Sequence, residues 1–234
     1  MANLTLLHLY PKTLRLNGEA GNVLALEKRA ELYGIKLSTK HLELGQLLPK
    51  VRPNLIFIGS GTLQATLAVA ADLVSKDSQI HKWIAQGTKV IAVGSGFDLI
   101  SQELILADAS IIPGLALTNT THRITGKHLV GEVVLGEDFA GFINTDREII
   151  RGGDLELGVV KHSDNPELVG YIDGYFDGKV WATNVQGPFL PMNPKFADAI
   201  LASVTPQMVK SPKLKTLNDL AKKAREAISA RVGH

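Results

Sequence analysis

A chain of 234 residues, 45% of them hydrophobic and 21% charged, can bury most of the surface its unfolded form exposes and needs no disulfide or metal to hold a core. Its 25 basic and 23 acidic residues leave a formal charge of +2, too small to direct it to nucleic acid or to a membrane surface. It contains no cysteine, which excludes disulfides, thiolate metal centres and, above all, a cysteine nucleophile.

No apolar run is long enough to span a bilayer. Met1-Ala2-Asn3-Leu4 opens straight into a strand-like run without the basic start of a signal peptide, so a cytoplasmic location is expected. In chain order, Leu4 to Tyr10, stopped by Pro11, reads as a buried strand. Asn22 to Tyr33, followed by Gly34, reads as an amphipathic helix with a glycine stop. Ile35 to Thr39 is the next strand and Leu55 to Ile58 a third, running into Gly59-Ser60-Gly61. Helices follow from Leu63 to Val74 and from Ile80 to Gln86, then a strand from Lys89 to Val93 and a helical pattern from Phe97. Strands apolar on both faces that alternate with helices predict a parallel sheet sandwiched by helices.

After a composition shift near Pro113 the pattern changes. Short β runs at 129–135, 139–143, 157–160, 169–172 and 180–184 are punctuated by Asp173-Gly174 and Asp177-Gly178, which predicts antiparallel hairpins. Helices are expected from Lys195 to Ala202 and from Leu217 to Arg231. The run Lys210, Lys213, Lys215, Lys222, Lys223 and Arg225 reads as a solvated helix face. One domain over residues 1–234 is expected, with about 210–234 as a helical tail.

Ligands of open parallel sheets bind beyond the carboxyl ends of the strands, where the turns Gly59-Ser60-Gly61 and Gly94-Ser95-Gly96 lie. A nucleophile elbow is a tight strand-to-helix turn with small residues two positions either side of the nucleophile. Centred on Gly94, the pattern fits, with Ala92 and Gly96 as flanks; centred on Ser95 it fails, because the flanks become Val93 and Phe97. The second turn therefore has an elbow's form with no side chain in the reactive position. A phosphate cradle is disfavoured, since neither a P-loop Lys-Ser/Thr pair nor a dinucleotide fingerprint is present. His122, His128 and His162 have no metal or dyad spacing and read as surface or internally satisfied residues; no metal or cofactor is expected.

Five blocks now resemble one family. Leu9-Tyr10-Pro11 with Asn17-Gly18-Glu19-Ala20-Gly21-Asn22 is similar to the Leu-Tyr-Pro and Tyr-Gly-Asp-x-Gly-Asn opening of the glutaminase subunit of lipid II isoglutaminyl synthase, a class I glutamine amidotransferase of the cobyric-acid-synthase-like branch. Phe57-Ile58-Gly59-Ser60-Gly61 resembles its Phe-Ile-Gly-Gly-Gly, and Ala92-Val93-Gly94-Ser95-Gly96-Phe97-Asp98-Leu99 its Ala-Val-Cys-Gly-Gly-Tyr-Gln-Leu. Gly141-Phe142-Ile143-Asn144 resembles Gly-Phe-Glu-Asn. Gln186-Gly187-Pro188-Phe189-Leu190-Pro191-Met192-Asn193-Pro194 resembles His-Gly-Pro-Leu-Leu-Pro-Lys-Asn-Pro. The order and spacing of these blocks cover nearly the whole chain.

The resemblance implies a flavodoxin-like three-layer α/β/α amidotransferase fold, parallel in its first half with antiparallel strands added in the second. It also implies a glutaminase that passes ammonia to a Mur-ligase-like synthetase subunit in peptidoglycan precursor amidation. Carried over by position, Gly94 stands at the nucleophile slot and Gln186 at the histidine slot. A glycine has nothing to attack with, and a carboxamide cannot shuttle protons at neutral pH. Around these positions Gly59, Ser60, Gly61, Ser95, Asn144 and Gln186 are the expected ligand-binding residues, with backbone N–H groups near Gly61 and Ser95 directed to the cavity. Three readings stay open: an inactive homologue retained for partner binding, an active amidotransferase subunit with a non-standard nucleophile, and a binding module for glutamine or another amino acid.

Overall fold

The computed structural model describes residues 3–136, 139–153, 155–206 and 208–233. Met1, Ala2 and His234, the outermost residues of the expected single domain, lie outside them. The chain runs β1 (Asn3–Leu9), α1 (Ala20–Leu32), β2 (Lys36–Leu42), β3 (Leu55–Ile58), α2 (Leu63–Leu73), α3 (Asp77–Ala85), β4 (Lys89–Val93) and α4 (Ser95–Ile100). It continues through β5 (Glu103–Ile105), β6 (Ile111–Pro113), β7 (Thr120–Leu135), β8 (Phe139–Arg151), β9 (Gly158–Ser163), β10 (Ile172–Asp173), β11 (Tyr175–Phe176), β12 (Val180–Thr183) and β13 (Val185–Gln186). The helices α5 (Phe189–Met192), α6 (Pro194–Val204) and α7 (Lys213–Arg231) close it.

The first sheet has the order β11-β12-β4-β3-β1-β2. All its pairings are parallel except that of the short edge strand β11 with β12. Its parallel part has the flavodoxin-like order 2-1-3-4-5, with β12 as fifth strand. Because side chains alternate along a strand, Leu4 and Leu6 of β1 pack with Val23, Leu26 and Ala30 of α1 and with Ile200 and Leu201 of α6. Leu7 and Leu9 pack on the opposite face with Val69 and Leu73 of α2 and Ile80 and Trp83 of α3. Helices thus cover both faces, as the run of two-sided apolar strands predicts.

The second sheet is built mainly from the long antiparallel pair β7 and β8. It begins at β5, earlier than the composition shift at Pro113. Two expectations need correction. The strand at 180–184, expected in an antiparallel hairpin, does pair antiparallel with β11, but its other edge pairs in parallel with β4, residue Val180 to Val90 through Thr183 to Val93. It thereby returns the chain to the first sheet. The run at 169–172 is mostly not strand: a 3-10 turn at Pro166–Leu168 precedes it, Val169 is exposed, and only Ile172 joins a ladder, with Val159. Among the described residues, no helix is long and apolar enough to cross a membrane.

Candidate functional site

β3 and β4 end side by side at the carboxyl edge of the first sheet, and their two glycine-rich turns meet there. Gly94 leaves β4 with φ 57° and ψ −125°, a conformation that residues bearing a Cβ adopt only under strain and that belongs to nucleophile elbows. Its N–H donates to the carbonyl of Thr183 on β12 at 2.8 Å. Gly96 lets α4 approach β3 closely: a Cβ there would stand 2.5 Å from the carbonyl oxygen of Ile58. With Ala92 fully buried, both flanks of the elbow are as small as the geometry requires.

The elbow's interior is already filled. A Cβ on Gly94 would stand 2.5 Å from Ser60 Oγ, 2.9 Å from Ser60 Cβ and 2.9 Å from Gln186 Nε2. Ser60, Gly94 and Gln186 are therefore neighbours, although 126 residues separate the first from the last (186 less 60). β13 delivers Gln186 by pairing with β8, Gln186 opposite Phe142. Asn17 Nδ2 donates to Gln186 Oε1, which fixes the carboxamide with its NH2 group towards Gly94. Asn17 itself holds φ 54°, a left-handed conformation that asparagine tolerates better than most residues.

The N–H groups expected to face the cavity are engaged within the turn. Gly61 N–H donates to Ser95 Oγ at 2.9 Å, and Ser95 N–H makes a long contact to Ser60 Oγ at 3.4 Å. Ser95 Oγ lies 3.4 Å from the Gly61 carbonyl, to which it donates. A serine nucleophile needs a base to take its proton; Ser95 instead has a backbone carbonyl as acceptor.

A cavity of about 200 Å³ opens in front of these turns, room for a handful of waters at ~30 Å³ each or for a ligand of amino-acid size. Of the residues expected to bind a ligand, Ser60, Gly61, Ser95, Asn144 and Gln186 line it, together with Gly94. Gly59 does not: it lies behind, where a Cβ would touch Glu19 Cβ and the Leu14 carbonyl at 3.0 Å. The remaining wall comes from residues outside the expected ligand-binding set, Asn17, Asp98, Asp146, Arg147 and Asn184 among them, and from His128, which the sequence reading took for a surface or satisfied histidine.

Asp98 is the buried hinge of that wall. Its carboxylate accepts from Arg147 Nε at 3.0 Å and contacts His122 Nδ1 at 2.7 Å, and His122 Nε2 reaches Thr120 Oγ1 at 3.2 Å. His122 is thus satisfied in the interior, as a lone histidine was expected to be. Arg147 also pairs with Asp146, so the wall carries one guanidinium against two carboxylates. His128 and Asn144 are joined by a hydrogen bond where a bulge interrupts β7: the four residues Thr125 to His128 stand opposite the single Asp146 of β8. Bulges commonly re-aim side chains beside sites, but neither the bulge nor the Asp98–Arg147 pairing across 49 residues leaves a local sequence signal. Among the described residues, no group of three His, Asp or Glu side chains has metal-holding geometry.

On the far side, burial pushes the Asp173 carboxyl above its ordinary range, against the hydrogen bonds it accepts from Thr183 Oγ1 at 2.5 Å and Asn184 N–H at 2.9 Å. Those bonds fix the bend from β12 to β13 and so set where Asn184 and Gln186 enter the cavity.

Comparisons with known proteins agree with this geometry. The chain is 27% identical over 203 residues to the lipid II isoglutaminyl synthase (glutamine-hydrolyzing) subunit GatD of Streptococcus pneumoniae, covering 83% of this chain and 77% of that protein. It is 22% identical over 209 residues to the same-named subunit of Staphylococcus aureus, covering 86% and 84%. A crystal structure of a glutamine amidotransferase superposes with a TM-score of 0.52 at 12% identity, over 85% of this chain and 98% of that one. No family model matches the chain. The chain is therefore a relative of the GatD subunits and has the glutamine amidotransferase fold.

Proposed function

We propose that this chain is a glutaminase-fold subunit without glutamine-hydrolysing activity, retained for what its scaffold binds. One observation carries the reading: the elbow keeps its strained backbone at Gly94 while Ser60 and an Asn17-held Gln186 fill the space in which a nucleophile and its base would work. Glutamine hydrolysis needs a nucleophile to attack the carboxamide and a titrating group to carry protons. In a serine protease, loss of either member costs on the order of 10⁶ in kcat; both positions here lack the chemistry. Ser95 does not replace them, because its hydroxyl is bound to Gly61 N–H and to the Gly61 carbonyl.

The partner we propose is a synthetase subunit of the Mur-ligase-like type in peptidoglycan precursor amidation. The support is that the curated relatives are subunits of a glutamine-hydrolysing lipid II isoglutaminyl synthase. Two roles fit, holding such a partner or binding an amino-acid-sized ligand in the cavity. The cytoplasm, where the precursor is assembled, is the proposed location.

Ammonia release from L-glutamine by the purified full chain, alone and with a candidate synthetase, tests the reading. The expected result is no release above buffer in either case. Turnover that requires the chain would overturn it. Turnover abolished by Ser95→Ala would assign the activity to that hydroxyl.

A further inference from the structure

We infer that Ser60 is a built-in plug which closes the reactive end of the cavity, and that side chains at positions 60 and 94 exclude one another. This deepens the reading above and rests on Gly94 as the vacated nucleophile position. It also narrows what the cavity can take.

Three contacts carry it. First, Ser60 is buried, and its Oγ and Cβ stand 2.5 Å and 2.9 Å from the place a Cβ on Gly94 would occupy. A hydroxyl can rotate away from such a clash, whereas a Cβ moves only with its backbone, so the second distance decides the matter. Second, Ser60 Oγ lies 3.4 Å from the N–H of Ser95, the residue after the elbow. Third, Ser95 Oγ takes the Gly61 N–H of the facing turn at 2.9 Å. A donor pair of this placement, one from the residue after an elbow and one from a neighbouring strand-to-helix loop, is what stabilises an oxyanion in acyl transfer. Here both donors point at the protein's own hydroxyls.

A ligand therefore finds the Gly61 and Ser95 donors already engaged at the deep end and no room beside Gly94. It is confined to the outer half of the cavity, between the Asn17–Gln186 pair and the Asp146–Arg147 pair. The carboxamide of glutamine is excluded from the position it would need for hydrolysis. Losing the nucleophile and gaining the plug are one coupled change: with a side chain at 94, Ser60 does not fit, and with Ser60 present, only glycine fits at 94.

The absence of cysteine makes a direct test available, because Gly94→Cys introduces the only thiol. Alkylation of that thiol by iodoacetamide is followed by intact mass in Gly94→Cys and in the double variant Ser60→Gly/Gly94→Cys, each folded and, as a control, in urea. With the plug removed, the folded double variant is expected to react about tenfold faster than the single one, since a thiol's rate follows its exposure as well as its thiolate fraction, while the two react alike in urea. Thermal melting of Gly94→Ala with and without Ser60→Gly is the second readout, and it needs no thiol. Alanine should lower the melting temperature clearly in the wild-type background and by less than half as much beside Ser60→Gly. Equal alkylation rates in the folded proteins, or equal losses of melting temperature in the two backgrounds, would overturn the inference. Both readouts are independent of glutamine turnover, so they can fail while the inactive reading stands, and the converse also holds.

Discussion

Glu19 lies behind the site at the start of α1, 1% exposed. Its Oε2 accepts from Asn22 Nδ2 at 3.0 Å, while Oε1 has no hydrogen-bond partner among the described residues. Burial lifts its carboxyl from the ordinary 4.5 to about 8, with the Asn22 bond opposing. Between those values the folded chain holds a proton that the unfolded chain has lost, so stability falls as pH rises through the interval. His8 works in the opposite sense: burial, helped by His41, lowers it from 6.5 to about 4, so stability rises with pH over that window and is then flat. Between about pH 6.5 and 8 His8 no longer contributes, and the Glu19 proton is worth roughly 2 kcal/mol; the buried Asp173 carboxyl, also raised, acts in the same direction. Wild-type stability from urea melts should drop by at least about that amount across the window, and Glu19→Gln should reduce the slope by the Glu19 share. An unchanged slope in the variant would mean that another group carries the titration. At Asp98, removal of the carboxylate takes the Nδ1 partner from the buried His122 and leaves Arg147 with Asp146 alone. Breaking one side of a buried ion pair costs about 3–5 kcal/mol, so Asp98→Ala should lose that much in the same melts, and Asp98→Asn, which keeps an acceptor, should lose less.

At the scale of elements, the bulge in β7 is a separable wall. Ile124 pairs with Arg147 and Leu129 with Thr145, so deleting Thr125, Gly126 and Lys127 leaves His128 opposite Asp146 and restores one continuous register. All three residues are exposed, so the deletion should change stability by less than about 1 kcal/mol. In hydrogen exchange, protection along β8 should persist; its loss would show that the bulge is part of the sheet's stability and not only a wall. No such irregularity is readable in Thr-His-Arg-Ile-Thr-Gly-Lys-His, which has neither a strand's alternation nor a helix's period, and the strand reading at 129–135 captures only the end of β7. β3 and β4 are legible to the residue because both faces are buried and glycines mark their ends. β12 is legible as a strand but not in its pairing, since its parallel partner lies 90 residues earlier (Val180 to Val90). The site follows the same rule. Ser60, Ser95 and Gln186 are readable because each sits in a motif block; Arg147, Asp146 and Asn17's grip on Gln186 depend on how distant elements cross. The two most specific blocks do meet in space, through Asn17 to Gln186 and through Asn22 Oδ1 to Leu190 N–H at 2.7 Å.

Across the whole molecule, the two sheets are tied together by α7, the segment read from sequence as a tail. Leu214 enters the core shared by α1 and α6, and Ile228, two heptads on, packs with Val134 and Ala140 of the second sheet. The lysines between them are exposed, in keeping with a solvated outer face. Each end is also held by an arginine, in very different settings. Arg29 of α1, 4% exposed, grips Asp198 of α6 with Nε and Nη2, both at 2.6 Å, and donates from Nη1 to Asn218 of α7 at 2.9 Å. Arg231 of α7 grips Glu132 of β7 just as bidentately, at 2.5 and 2.6 Å, but in solvent. Exposed pairs are worth about 0–1 kcal/mol, whereas a buried pair that loses one partner costs about 3–5 kcal/mol. Arg29→Ala should therefore lower global stability several-fold more than Arg231→Ala, although the contacts look alike on paper. Because Arg29 holds the beginning of α7, its loss should also release the amides of α7 to hydrogen exchange before those of β3 and β4. If the two alanine variants melt together, the buried guanidinium is not what joins α7 to the flavodoxin-like layer, and the apolar seam at Leu214, Ala221 and Ile228 carries the attachment alone.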